Sequence, residues 1–109
     1  MRIIDTKITK EILSGDNHPQ IKIVDKLYTV DDRKATFDKI NKVQADDKLK
    51  DEEKERQLFE LALGKEATDE IYKLDLPVDK FNYLTYCILG AISGEDPDEI
   101  QKRVKERKN

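Results

Sequence analysis

The chain is poor in the residues that build most small-protein chemistry. It has one cysteine, Cys87, and one histidine, His18. A single cysteine excludes an internal disulfide and any multi-cysteine zinc site. Four glycines and three prolines leave no room for a glycine-rich phosphate cradle, and Gly64-Lys65 lacks the upstream glycine of such a loop. Tryptophan is absent and aromatics make up 6%, and none is interleaved with the basic residues near the C-terminus. No long apolar run occurs. The longest apolar-rich stretch, Tyr83 to Ile92, falls well short of the ~20 residues that span a bilayer. Met1-Arg2-Ile3-Ile4-Asp5 lacks the apolar run of a secretory leader, so the expected location is the cytoplasm.

What is present is charge. Asp, Glu, Lys and Arg supply 41% of the 109 residues, against 37% hydrophobic, with a net charge of −3. Leu, Ile, Val and Phe number 29, enough to keep the chain out of the disordered class. The core is real but thin, and a thin core in a short chain is often completed against another subunit.

The pattern along the chain is one domain, mainly α with a small N-terminal β-hairpin (α+β), preceded by a segment over 1–20. That segment carries Ile3, Ile4, Ile8, Ile12 and Leu13 and ends in the turn formers Ser14-Gly15-Asp16-Asn17-His18-Pro19. Its residues suit a short strand or a helical turn equally well. Residues 21–109 form the body. Residues 21–30 read as a hairpin with Asp25-Lys26 as the loop, Val24 facing Leu27, Ile23 facing Tyr28 and Ile21 facing Val30. The period of two gathers Ile21, Ile23, Tyr28 and Val30 on one face, and Lys22 and Thr29 on the other. A lone hairpin is marginal, so that face must cover something.

The period then turns helical. Phe37, Ile40 and Val43 mark a helix over about 33–45. Glu52 and Glu53 open a second, about 52–63, which Gly64 closes. Ala67, Ile71 and Leu74 mark a third over 66–74. Pro77 sits at the start of a fourth over 78–93, with a stripe of Phe81, Leu84, Ile88, Ala91 and Ile92. Asp96-Pro97-Asp98-Glu99 signals a capping box for a last helix over 97–108. The expectation is a compact domain of four to five helices behind the hairpin.

The screen for chemistry is negative. Nothing brings His18 and Cys87 together as base and nucleophile. The carboxylates are interleaved with cations, as in Asp51-Glu52-Glu53-Lys54-Glu55-Arg56, which reads as a solvated helix face. Asp31-Asp32, Asp46-Asp47 and Asp96-Pro97-Asp98 lack the ligand alternation of a calcium loop. The expectation is no enzyme, no cofactor and no metal. Lys102, Arg103, Lys105, Arg107 and Lys108 form a basic terminal run. Cations suit a helix C-terminus, where the dipole is negative, and the remainder of the chain is acidic. A small nucleic-acid-associated regulatory protein using this helix is the second reading.

Binding is the first reading. Tyr83, Tyr86 and Leu89 lie off the stripe of the fourth helix, making it apolar nearly all round, which a surface helix in a monomer should not be. With Ile21, Ile23, Tyr28 and Val30 they form the expected partner or oligomer interface.

The stretch Leu58-Phe59-Glu60-Leu61-Ala62-Leu63-Gly64-Lys65-Glu66-Ala67, followed by Ile71, Leu74-Asp75-Leu76-Pro77 and an apolar helix, resembles the tail assembly chaperones of long-tailed phages and prophages. The hairpin with Tyr28 fits their N-terminal part, and the likeness covers about residues 21–105. The resemblance implies a non-enzymatic chaperone in the bacterial host cytoplasm. Such proteins self-associate, bind the helical tape measure protein, and yield it as the tail tube protein arrives.

Overall fold

A computed structural model describes residues 1–14 and 17–107, with the side chain of Arg107 excluded. Gly15 and Asp16 of the turn cluster, and Lys108 of the basic run, lie outside the described residues. The order is α1 (Lys10–Leu13), β1 (Gln20–Ile23), β2 (Lys26–Thr29), α2 (Lys34–Gln44), α3 (Asp51–Leu63), α4 (Lys65–Lys73), α5 (Val78–Ser93) and α6 (Pro97–Arg107). The fold is mainly α with a small N-terminal hairpin. The sixth helix, beyond the five expected, is the single turn α1.

Local chemistry explains the boundaries. Asp31 organises the entry to α2: its carboxylate accepts from the Arg33 N–H at 3.1 Å and from the Thr36 hydroxyl at 2.7 Å. Three acids, Asp51, Glu52 and Glu53, occupy the first turn of α3, where the helix dipole favours them. Gly64, at φ 93°, ends α3 and leads directly into α4. Asp96 Oδ1 accepts the Asp98 N–H at 2.8 Å. It thus caps α6 through a local turn rather than a reciprocal box with Glu99.

The hairpin slides by two residues from the register expected. Its loop is Val24-Asp25, and the pairs are Ile23 with Lys26, Lys22 with Leu27, Ile21 with Tyr28, and Gln20 with Thr29. A shift of two preserves which side chains share a face. Lys26 belongs to the strand because its ammonium reaches Glu70 at 2.6 Å and lies 5.2 Å from the Tyr28 ring centre. The hairpin is tied to α3 by the Asp31 N–H on the Ala62 carbonyl at 2.8 Å.

Ile21, Tyr28 and Val30 close one side of a core whose centre is Ile40, Leu58, Phe59, Ala62, Ile71 and Ile88. Phe37 is not part of it; of the α2 stripe only Ile40 is fully buried, and Phe37 is 38% exposed. Residues 1–9 form no regular element, and the segment around α1 lies off the body. With it the molecule measures 55 × 35 × 27 Å, with a radius of gyration of 15.7 Å, above the ~13 Å of a compact domain of this size.

Candidate functional site

A concave feature with both apolar and polar lining runs between α3 and α5. One part, about 220 Å³, is bordered by Gln44, Glu55, Leu58, Asn82, Thr85 and Tyr86. The next, about 290 Å³, shares Glu55 and Asn82 and continues over Tyr72, Leu76 and Phe81. The two make one groove from the C-terminal end of α2 to the α4–α5 turn.

Its floor is aromatic. Phe59 and Phe81 stack with ring centres 5.0 Å apart and planes 11° from parallel. Tyr72 meets both edge-on, at 6.1 and 5.2 Å. The Arg56 guanidinium covers the outer side of the Tyr72 ring at 4.9 Å and pairs with Asp69. This packing fixes the ring and buries its hydroxyl near the Glu55 carboxylate, outside good hydrogen-bond geometry. A buried hydroxyl left in poor geometry costs stability.

Most of the charged groups at its walls are acidic. Asp51, Glu55 and Asp75 border the groove, and its one cation, Lys54, donates to the Gln44 carbonyl at 3.0 Å. Burial pushes the Glu55 carboxyl above its ordinary range, and the like charge of Glu52 adds to this. Burial also raises the Tyr72 phenol, with the Glu55 charge contributing. A desolvated carboxylate at a groove wall favours a cation or a row of N–H donors.

The residues expected to form an interface are dispersed. Ile21, Tyr28 and Val30 are buried, with Val30 at 0% exposure, and Ile23 packs on the same cluster. The hairpin face therefore serves the chain's own core. Leu89 also packs on the core. Tyr83 donates to Asp98 at 2.8 Å, which pushes its phenol up to about 12; it staples α5 to α6. The apolar girth of α5 has an internal cause, because α3, β1 and α6 all pack against it. Tyr86 alone of the seven lines the groove.

Sequence reasoning missed Glu55, Tyr72 and Asn82. Glu55 stands inside a charged run that reads as solvated, and only the approach of α5 makes one edge of that run a wall. The aspartate pairs are occupied: Asp31 by Arg33, Asp32 by His18 at 2.6 Å, Asp46 by the Lys48 N–H. Among the described residues no group of three or more His, Cys, Asp or Glu is arranged to hold a metal ion. No helix among them is long and apolar enough to cross a membrane. In the basic run, Arg103 is paired with Glu95, which draws one cation out of any phosphate-binding face.

Comparison with protein-family models, with curated proteins and with solved structures finds no match to this chain.

Proposed function

We propose that the chain is a tail assembly chaperone of the long-tailed phage type, which self-associates and holds the tape measure protein until the tail tube protein replaces it. No catalysis, cofactor or nucleic acid enters this reading. The observation that carries it is the groove between α3 and α5, apolar at its floor, with mostly acidic charges at its walls. Such a groove suits an amphipathic helix laid along it, with apolar side chains over Leu58 and Phe81 and a Lys or Arg toward Glu55. Tape measure proteins expose long helical faces that aggregate when bare. The 41% charged composition would keep such a complex dispersed.

The test is co-expression with the tape measure protein, followed by light scattering of the soluble fraction. A stable complex is expected with the unaltered chain. Tyr86→Asp should abolish it while far-UV circular dichroism stays unchanged, since Tyr86 lines the groove and lies outside the core cluster. A tape measure protein that precipitates regardless of this chain sinks the reading.

A further inference from the structure

The N-terminal arm, residues 1–13, is apolar and has almost nothing to cover it. Ile3, Ile4, Ile8, Ile12 and Leu13 are exposed at 86, 72, 64, 53 and 74%. Scattered surface leucines are ordinary, but five aliphatic side chains in one segment are a patch that calls for a partner. The arm is also strand-prone, since Ile3, Ile4, Thr6, Ile8 and Thr9 are all β-branched. Ile4, Thr6 and Ile8 share one side of an extended chain.

A receptor for such a strand exists elsewhere on the body. A groove of about 370 Å³ runs between β1 and α5, lined by Gln20, Ile21, Lys22, Leu84, Cys87 and Ala91 among others. The Val30 N–H bonds the Pro19 carbonyl at 2.8 Å, so residues 19 and 30 form a hydrogen-bonded pair. In an antiparallel ladder such pairs alternate with unbonded ones. The main-chain groups of Gln20 and Lys22 therefore point away from β2, along the groove, as an open edge. Charge agrees as well. The arm carries Arg2, Lys7 and Lys10 against Asp5 and Glu11. The groove ends at Glu95 and Pro97, beside Asp96, Asp98 and Glu99.

The arm leaves its own body on the other side. Leu13 borders Thr29 and Leu61 to Gly64, on the β2–α3 side. Its exit is held by Asn17 Nδ2 on the Glu11 carbonyl and by the His18–Asp32 contact. We infer that the arm docks on a second copy of this chain, as a strand added along β1 in the β1–α5 groove, with the two copies exchanging arms. Each copy offers one arm and one groove, so the exchange closes a symmetric dimer. Lys7, at φ 65°, bends the free arm, and pairing straightens it. The exchange gives a route to the self-association in the chaperone reading and rests on that part of it; client capture in the α3–α5 groove is tested separately, so the two can fail apart.

Light scattering of the full chain over a concentration series tests it. A dimer is expected, and Ile4→Asp/Ile8→Asp should be monomeric with an unchanged far-UV circular dichroism spectrum. Under mild oxidation, a mixture of the unaltered chain with Ile8→Cys/Cys87→Ser or Thr6→Cys/Cys87→Ser should give a disulfide-linked heterodimer through Cys87. Three results would overturn the exchange: a monomer at every concentration, a dimer that survives the double Asp variant, or Ile8→Cys closing a disulfide with its own Cys87.

Discussion

The carbonyl oxygen of Glu95 stands 2.6 Å from the point a side-chain carbon on Gly90 would occupy, and the Pro97 ring lies 3.2 Å from it. The close approach of the α5–α6 corner to the helix depends on a missing methyl group. In an ordinary helix interior, Gly→Ala stabilises by about 1 kcal/mol. Here the clash is with backbone and a rigid ring, so Gly90→Ala is expected to destabilise by about 2 kcal/mol. Urea denaturation followed by circular dichroism reads this directly, and a variant as stable as the parent shows that the corner yields.

Val24 occupies the first position of the hairpin loop at φ 57°, a conformation that β-branched residues strongly resist. Its side chain is 77% exposed, so little packing is lost on replacing it. Val24→Gly is expected to stabilise the fold by about 1 kcal/mol, raising Tm by several degrees. No change in Tm would mean that the loop relaxes without cost.

Most of the helical framework was readable because its signals are local. Gly64, Pro77 and Asp96 punctuate the chain through backbone geometry and caps that need no tertiary partner. Hairpin register was not readable to the residue, since the sequence offers no Asn-Gly to fix the loop, and Glu70, which holds Lys26 in the strand, is distant in sequence. The interface residues were ambiguous for a related reason. An apolar residue off the main stripe of α5 has the same pattern whether a second copy or another element of the same chain covers it. Leu89 packs on the chain's own core, whereas Tyr86 borders the α3–α5 groove. Glu55 was invisible as a wall because burial of one edge of a charged helix comes from the packing of α5, not from α3.

Asp31 supplies a pH test. The Arg33 guanidinium holds its carboxyl well below the usual carboxylate range, and the Thr36 hydroxyl adds to this against the opposing effect of burial. A carboxyl that is a stronger acid in the folded state contributes stability above its unfolded value, about pH 4. That contribution is lost as pH falls through the folded value. Asp31→Asn should therefore cost about 1–2 kcal/mol at pH 7. The gap from the parent should narrow steadily when unfolding is repeated at pH 3. A gap of equal size at both pH values would mean that Asp31 acts through shape alone.

Glu55 behaves in the opposite sense and separates stability from binding. Burial raises its carboxyl. Between the ordinary value and the raised one, the folded state keeps a proton that the unfolded chain has released. Stability therefore falls as pH rises through that interval, and above it the buried charge remains a cost. Glu55→Gln removes the charge and keeps the shape, so the free chain should gain about 0.5 kcal/mol at pH 7. Binding should move the other way. If the groove receives a Lys or Arg of a client helix, losing the carboxylate removes a charge-assisted contact and weakens the complex by about tenfold. Thermal melting of the free chain and titration with the tape measure protein measure the two effects independently. A variant that melts higher and binds more tightly would show that the groove prefers a purely apolar helix.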